Sequence, residues 1–112
     1  LINCAGVLMP GDLESQFPAQ YDLMVDVNLR APVLLTFFSL IAQSVTMAAD
    51  NEACIINVSC EFGARPESGL IGYCMSKAGL EMLTKCTSLE LASFGVRVNS
   101  VAPCMLDTNH FF

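Results

Sequence analysis

The sequence predicts an α/β fold, a parallel sheet of three short strands joined by long helices. Three observations carry that prediction. Short apolar runs at residues 1–3, 54–58 and 96–101 read as buried strands, and the second is rich in β-branched residues. The longer segments between them place apolar residues at helical spacing. No hairpin signal joins the runs, so the connections are crossovers, the strands run parallel and helices cover both faces.

Taken in order, residues 1–3 end a first strand. Residues 4–16 form a loop with Gly6, Pro10 and Gly11 as turn residues. Helical signals dominate residues 17–47, with a break predicted at 28–32 because proline disfavours helix in the residue before it. Beyond that break Leu34, Phe37, Phe38, Ile41 and Val45 make an apolar face, and the stretch 31–45 reads as a buried helix. It is broken by Thr36, Ser39 and Gln43 and is shorter than the roughly 20 residues of a membrane span. A polar turn at 49–52 precedes the second strand, and a loop at 59–72 follows it. Residues 73–94 form a helix whose apolar face is Leu80, Leu83, Thr87, Leu91 and Phe94, with Gly95 just past its end. The third strand follows at 96–101, and Pro103 opens a final loop.

The chain has 112 residues, 54% of them hydrophobic and 14% charged, enough to fill one core. A net charge of −6 argues against nucleic acid and anionic membrane surfaces, both of which reward basic faces. Cys4, Cys54, Cys60, Cys74, Cys86 and Cys104 are scattered through apolar patterns without zinc-ligand spacing, so free thiols in the cytoplasm or another reducing intracellular compartment are expected, and no metal site. The sequence opens inside an apolar pattern without a methionine, which reads as one partial domain, residues 1–112, of a longer protein.

The richest motif is Tyr73-Cys74-Met75-Ser76-Lys77. Residues four apart share a helix face, so phenol and ammonium stand side by side. The cation favours phenolate and is expected to bring the tyrosine below its ordinary pKa of about 10, which makes a general acid/base device. Asn3-Cys4-Ala5-Gly6, Asn28 in Val27-Asn28-Leu29, Ser59-Cys60, Asn99-Ser100-Val101-Ala102-Pro103 and Thr108 accompany it, and most fall at or just after strand carboxyl ends, where such sheets bind ligands.

In this order and spacing the set resembles the short-chain dehydrogenases/reductases, across nearly the whole chain and in their short rather than extended branch. The resemblance implies a Rossmann-like doubly wound parallel sheet, here partial, forming the central part of an NAD(P)-binding domain whose first βαβ units are missing. It implies NAD or NADP as cofactor and an alcohol/carbonyl pair as substrate, as in carbonyl reductases. Tyr73 would transfer the proton, Lys77 would lower its pKa and bind the ribose, and Asn28 would hold a water in a proton relay. Asn3, Ala5 and Gly6 resemble the family turn along the cofactor, and Pro103 and Thr108 match the loop at its nicotinamide end. It also implies a homodimer or homotetramer formed through the two long helices.

Three positions depart from the pattern. Cys60 stands where the family serine, thirteen residues before the tyrosine, orients the substrate oxygen, and a thiol is the weaker donor. Cys4 replaces an asparagine, and Cys104 a glycine. Ser59 reads as a strand-end cap and His110 as a loop residue. The glycine-rich turn that seats a pyrophosphate is absent from the sequence. A non-catalytic, scaffold-like member of the same family, or a truncated fragment inactive by itself, is the competing expectation.

Overall fold

A computed structural model describes residues 1–15, 18–46 and 53–104. Strand β1 (Ile2–Asn3) leads through helix α1 (Pro18–Val25), a π turn (Asp26–Arg30) and helix α2 (Ala31–Thr46) to strand β2 (Cys54–Val58). A 3₁₀ turn (Glu61–Gly63), helix α3 (Ile71–Leu91), a second 3₁₀ turn (Ala92–Phe94) and strand β3 (Arg97–Val101) complete the order. The strands form one parallel sheet in the order β1-β2-β3. Asn3 lies opposite Asn57, and Val58 opposite Val101, so the carboxyl ends of all three strands open on one side. The expected turn at 49–52, the side chain of Val45, and Thr108 and His110 lie outside the described residues.

The predicted helix break is not observed. The chain continues as helix through 28–32, because the π turn absorbs the proline. Ala31 N–H donates to the Asp26 carbonyl five residues back, where an α-helix would reach four. Pro32, which has no N–H to donate, directly follows this longer bond inside the continuous helical run. The uninterrupted run Pro18–Ala42 is therefore long and apolar enough, by length and composition, to cross a membrane, unlike the shorter stretch expected from sequence.

The buried side of this run is Met24, Asn28, Pro32 and Thr36, each four residues after the last. The face expected to be buried points outward: Leu34, Phe37, Phe38 and Ile41 are 43–60% exposed. The buried stripe thus mixes apolar Met24 and Pro32 with polar Asn28 and Thr36, while the apolar face expected to pack lies outside.

Both helices lie on one face of the sheet. Ile55 and Val98 pack with Leu91 from α3 and Val96, and Leu40 of α2 joins the same cluster. The alternation along β2 and β3 agrees: Ile55, Asn57 and Val98 are buried, whereas Arg97, Asn99 and Val101 on the opposite face are exposed. Among the described residues no helix covers that second face, so the expected two-sided cover is seen on one side only. Helix α3 starts at Ile71, two residues before the predicted start, and its predicted face is buried at Leu80 and Leu91 and half-buried at Leu83 and Thr87. Phe94 is 73% exposed, since it lies in the 3₁₀ turn beyond α3. Gly95 ends that turn at φ 72°, a left-handed conformation that suits glycine.

Candidate active site

The site grows from α3. Tyr73 and Lys77 share a face of this helix, and the Lys77 ammonium lies 5.6 Å from the Tyr73 ring centroid. Lys77 is only 4% exposed and donates to the Val58 carbonyl at the end of β2 at 3.0 Å. The buried lysine is thus held by the sheet and reaches the strand-end opening by its whole length. Burial pushes its pKa down, against an upward pull from the Cys60 and Cys4 thiols nearby.

Tyr73 is half-buried, and its pKa is raised, not lowered. Desolvation is the largest cause, followed by Cys60, which acts through its charge and a side-chain hydrogen bond. The expected acidification by Lys77 is therefore not observed: burial and the neighbouring thiols act the other way.

Cys60 has extended backbone, φ −158° and ψ 155°, so consecutive side chains there point opposite ways. Ser59 is buried and its hydroxyl lies 3.5 Å from the Lys77 carbonyl, while Cys60 reaches Tyr73. Gly63 lets this loop lie close on α3: a Cβ there would stand 3.1 Å from the backbone carbonyl of Lys77.

Asn28 is fully buried beneath the lysine. Its Oδ1 accepts from Val7 N–H at 2.8 Å, and its Nδ2 donates to the Val7 carbonyl at 2.8 Å and to Ser76 Oγ at 3.0 Å. Gly6 bridges the two groups, for a Cβ built on it would lie 3.4 Å from Asn28 Oδ1 and 3.5 Å from Lys77 Nζ. The structure thus brings together Gly6, Asn28, Cys60, Tyr73 and Lys77.

Other expected residues stand apart. Asn3 is buried under the sheet end, where its amide donates to Asn57 Oδ1 at 2.8 Å. Asn57 donates to Thr84 Oγ1 at 2.9 Å, and Thr84 to the Leu80 carbonyl at 2.8 Å. Asn3 therefore ties β1 to β2 and, through it, to α3. Ala5 and Cys4 are exposed beside the opening. Pro103 is half-buried and its carbonyl accepts from Glu61 N–H at 3.1 Å, which joins the loops after β2 and β3. Cys104 is exposed, all six cysteines are free thiols, and Thr108 falls outside the described residues. Sequence reasoning passed over Val7, Asn57, Ser76 and Thr84. Ser76 lay inside the motif, but a serine in a helix carries no periodic signal.

The family model for short chain dehydrogenases matches residues 1–111. The chain belongs to the short-chain dehydrogenase family. It is 32% identical over 108 residues, 96% of its length, to 2,5-dichloro-2,5-cyclohexadiene-1,4-diol dehydrogenase LinX of Sphingobium indicum, and 33% identical over 109 residues to L-xylulose reductase of Caenorhabditis elegans. It spans 42% of the length of each of these curated relatives. A solved structure of 4-hydroxyisoleucine dehydrogenase complexed with NADH superimposes with a TM-score of 0.89 at 28% identity, covering 99% of this chain and 48% of that one. A short-chain dehydrogenase from Streptomyces avermitilis gives 0.86 at 27% identity, over 99% of this chain and 40% of that one. The Rossmann-like architecture is thus that of a short-chain dehydrogenase, represented here in part.

Proposed function

We propose that this chain carries the catalytic centre of a longer oxidoreductase that interconverts an alcohol and a carbonyl with a nicotinamide dinucleotide. The observation that carries the reading is the meeting of Tyr73, Lys77, Asn28 and Cys60 at the strand carboxyl ends.

The donor set fits the ribose–nicotinamide end of such a cofactor. Lys77 has three N–H donors, and among the described residues one is taken, by Val58. The remaining donors stand beside Gly6, whose missing side chain leaves room along the turn of Asn3, Ala5 and Gly6. Pro103 and Thr108 would close the nicotinamide end. The sequence has no glycine-rich turn for a pyrophosphate, so the fit is confined to this end.

When bound, the nicotinamide supplies or accepts the hydride. Tyr73 gives its proton to the carbonyl oxygen in reduction and takes one from the alcohol in oxidation. Its raised pKa leaves the phenol in the protonated form that reduction requires. Asn28 would hold a water in the proton relay behind Lys77. Cys60 orients the substrate oxygen as a weak donor, and one such donor is worth about a hundred-fold in rate where it is a full hydrogen bond.

The exposed faces of α2 and α3, including Phe37, Phe38, Met75 and Met82, are apolar and would be covered by a second copy in a homodimer or homotetramer. A reducing cellular compartment suits the six thiols.

The test is a panel of carbonyl compounds offered to the full-length protein with NADH and with NADPH. Turnover with either supports the reading. Cys60 favours a second reading, a non-catalytic binding protein: silence of both the natural protein and Cys60→Ser across the panel would select it.

A further inference from the structure

We propose that Ser76 is a positioning residue that locks the turn of α3 carrying Tyr73 and Lys77 onto the π turn carrying Asn28. The inference rests on the catalytic reading above and names a residue that the reading does not use.

Main-chain N–H only donates and C=O only accepts, so the two bonds to Val7 fix the orientation of the Asn28 amide without ambiguity. The second Nδ2 proton must then find an acceptor in a fully buried place, and it meets Ser76 Oγ at 3.0 Å. Ser76 has one proton, which goes to the Tyr73 carbonyl at 2.8 Å. The relay has one direction, from Asn28 through Ser76 to the backbone of Tyr73. Serines inside helices often donate to the carbonyl three residues back, and that habit accounts for the second bond. It does not account for a hydroxyl 1% exposed that also accepts from a buried amide of another element.

The place of this bond gives it leverage. Ser76 is next to Lys77 and one turn from Tyr73, so a small rotation of α3 moves all three. Downstream, α3 is fastened to the sheet by Thr84 with Asn57 and by Glu81 with Ser100. Those bonds lie beyond Lys77; nearer the start of α3, Lys77 Nζ on the Val58 carbonyl ties the helix to the sheet, and the Ser76 bond to Asn28 ties it to the π turn. If the Asn28 bond is lost, Lys77 drifts from Gly6 and the Val58 carbonyl, and Tyr73 from Cys60. Displacements of about 1 Å in such sites lower rates by as much as a hundred-fold.

The experiment compares the full-length protein with Ser76→Ala, Ser76→Thr and Tyr73→Phe. Turnover, KM for carbonyl and cofactor, the pH–rate profile and circular dichroism are read for each. Ser76→Ala is expected to keep the helical spectrum, lower kcat about tenfold as expected when a buried donor loses a partner worth about 1.4 kcal/mol, and shift the pH limb of Tyr73. Ser76→Thr, which keeps the hydroxyl, is expected to restore kcat to within about threefold of the natural protein. An unchanged kcat and pH profile in a folded Ser76→Ala, or a loss in Ser76→Thr as large as in Ser76→Ala, would overturn the proposal. If Ser76→Ala does not fold, Ser76→Thr decides alone: near-natural kcat and pH profile support the proposal, and a tenfold loss overturns it. Full activity of Tyr73→Phe would instead sink the catalytic reading, whatever the serine variants do.

Discussion

Lys77 and Val58 join α3 to the end of β2 through one hydrogen bond of 3.0 Å from a buried ammonium to a main-chain carbonyl. The lysine is thereby held by the sheet and presented beneath the Tyr73 ring. Replacement by methionine keeps the stem's packing and removes the donors. Lys77→Met is expected to raise the cofactor KM at least about tenfold, since a charged hydrogen bond is worth about 1.5–3 kcal/mol, and cofactor titration of the full-length protein checks it.

The shifts at Tyr73 and Lys77 make opposite predictions for alkaline stability. The folded pKa of Tyr73 is raised, so its contribution is complete below the unfolded value of about 10 and is lost as pH rises past it. The folded pKa of Lys77 is lowered by burial, so between that value and its unfolded pKa of about 10.4 the unfolded chain holds more protons and stability rises with pH. Denaturant midpoints across the alkaline range should therefore fall less steeply in Tyr73→Phe than in the natural protein, and more steeply in Lys77→Met.

Cys60 faces Tyr73 from extended backbone, where a serine hydroxyl would make a stronger donor. Cys60→Ser is expected to raise kcat by about tenfold, part of the hundred-fold a full donor supplies, with little change in stability. Steady-state kinetics on one accepted carbonyl compound measures it.

Gly63 sets the distance between that loop and α3. A methyl group there would meet the Lys77 carbonyl carbon and oxygen at 3.1 Å and Ala78 N at 3.3 Å, all backbone atoms that give only by moving the helix. Gly63→Ala is expected to destabilise the protein by about 1–3 kcal/mol and to lower kcat by displacing Cys60 from Tyr73. Thermal unfolding, read beside kcat, tests both halves.

Thr84→Val conserves shape and removes the acceptor for the buried Asn57 amide, at a cost of about 1–3 kcal/mol. The Asn3–Asn57 bond should survive, so activity is expected to fall less than stability. Urea unfolding of the full-length protein measures the loss.

Much of this was legible in the sequence because chemistry with fixed spacing is local. Tyr73 and Lys77 needed only a helix, and β2 announced itself by its β-branched run. The side of α2 that packs was not legible. Asn28 is buried against Val7 and Ser76, both distant in sequence, and Pro32 and Thr36 are buried on the same side, while the apolar Phe37 and Phe38 face outward. The π turn was hidden as well, since Pro32 reads as a break unless a longer hydrogen bond upstream is known to absorb it. The rise in the Tyr73 pKa was equally out of reach, because it comes from burial and from Cys60, thirteen residues away.

The central claim is that the Tyr73 hydroxyl moves the proton that accompanies hydride transfer. Single-turnover reduction of a carbonyl compound, followed by nicotinamide absorbance in the full-length protein and in Tyr73→Phe, tests it most directly. The account predicts a step at least about a hundred-fold slower in the variant with cofactor affinity unchanged. Equal single-turnover rates in the two proteins would contradict it.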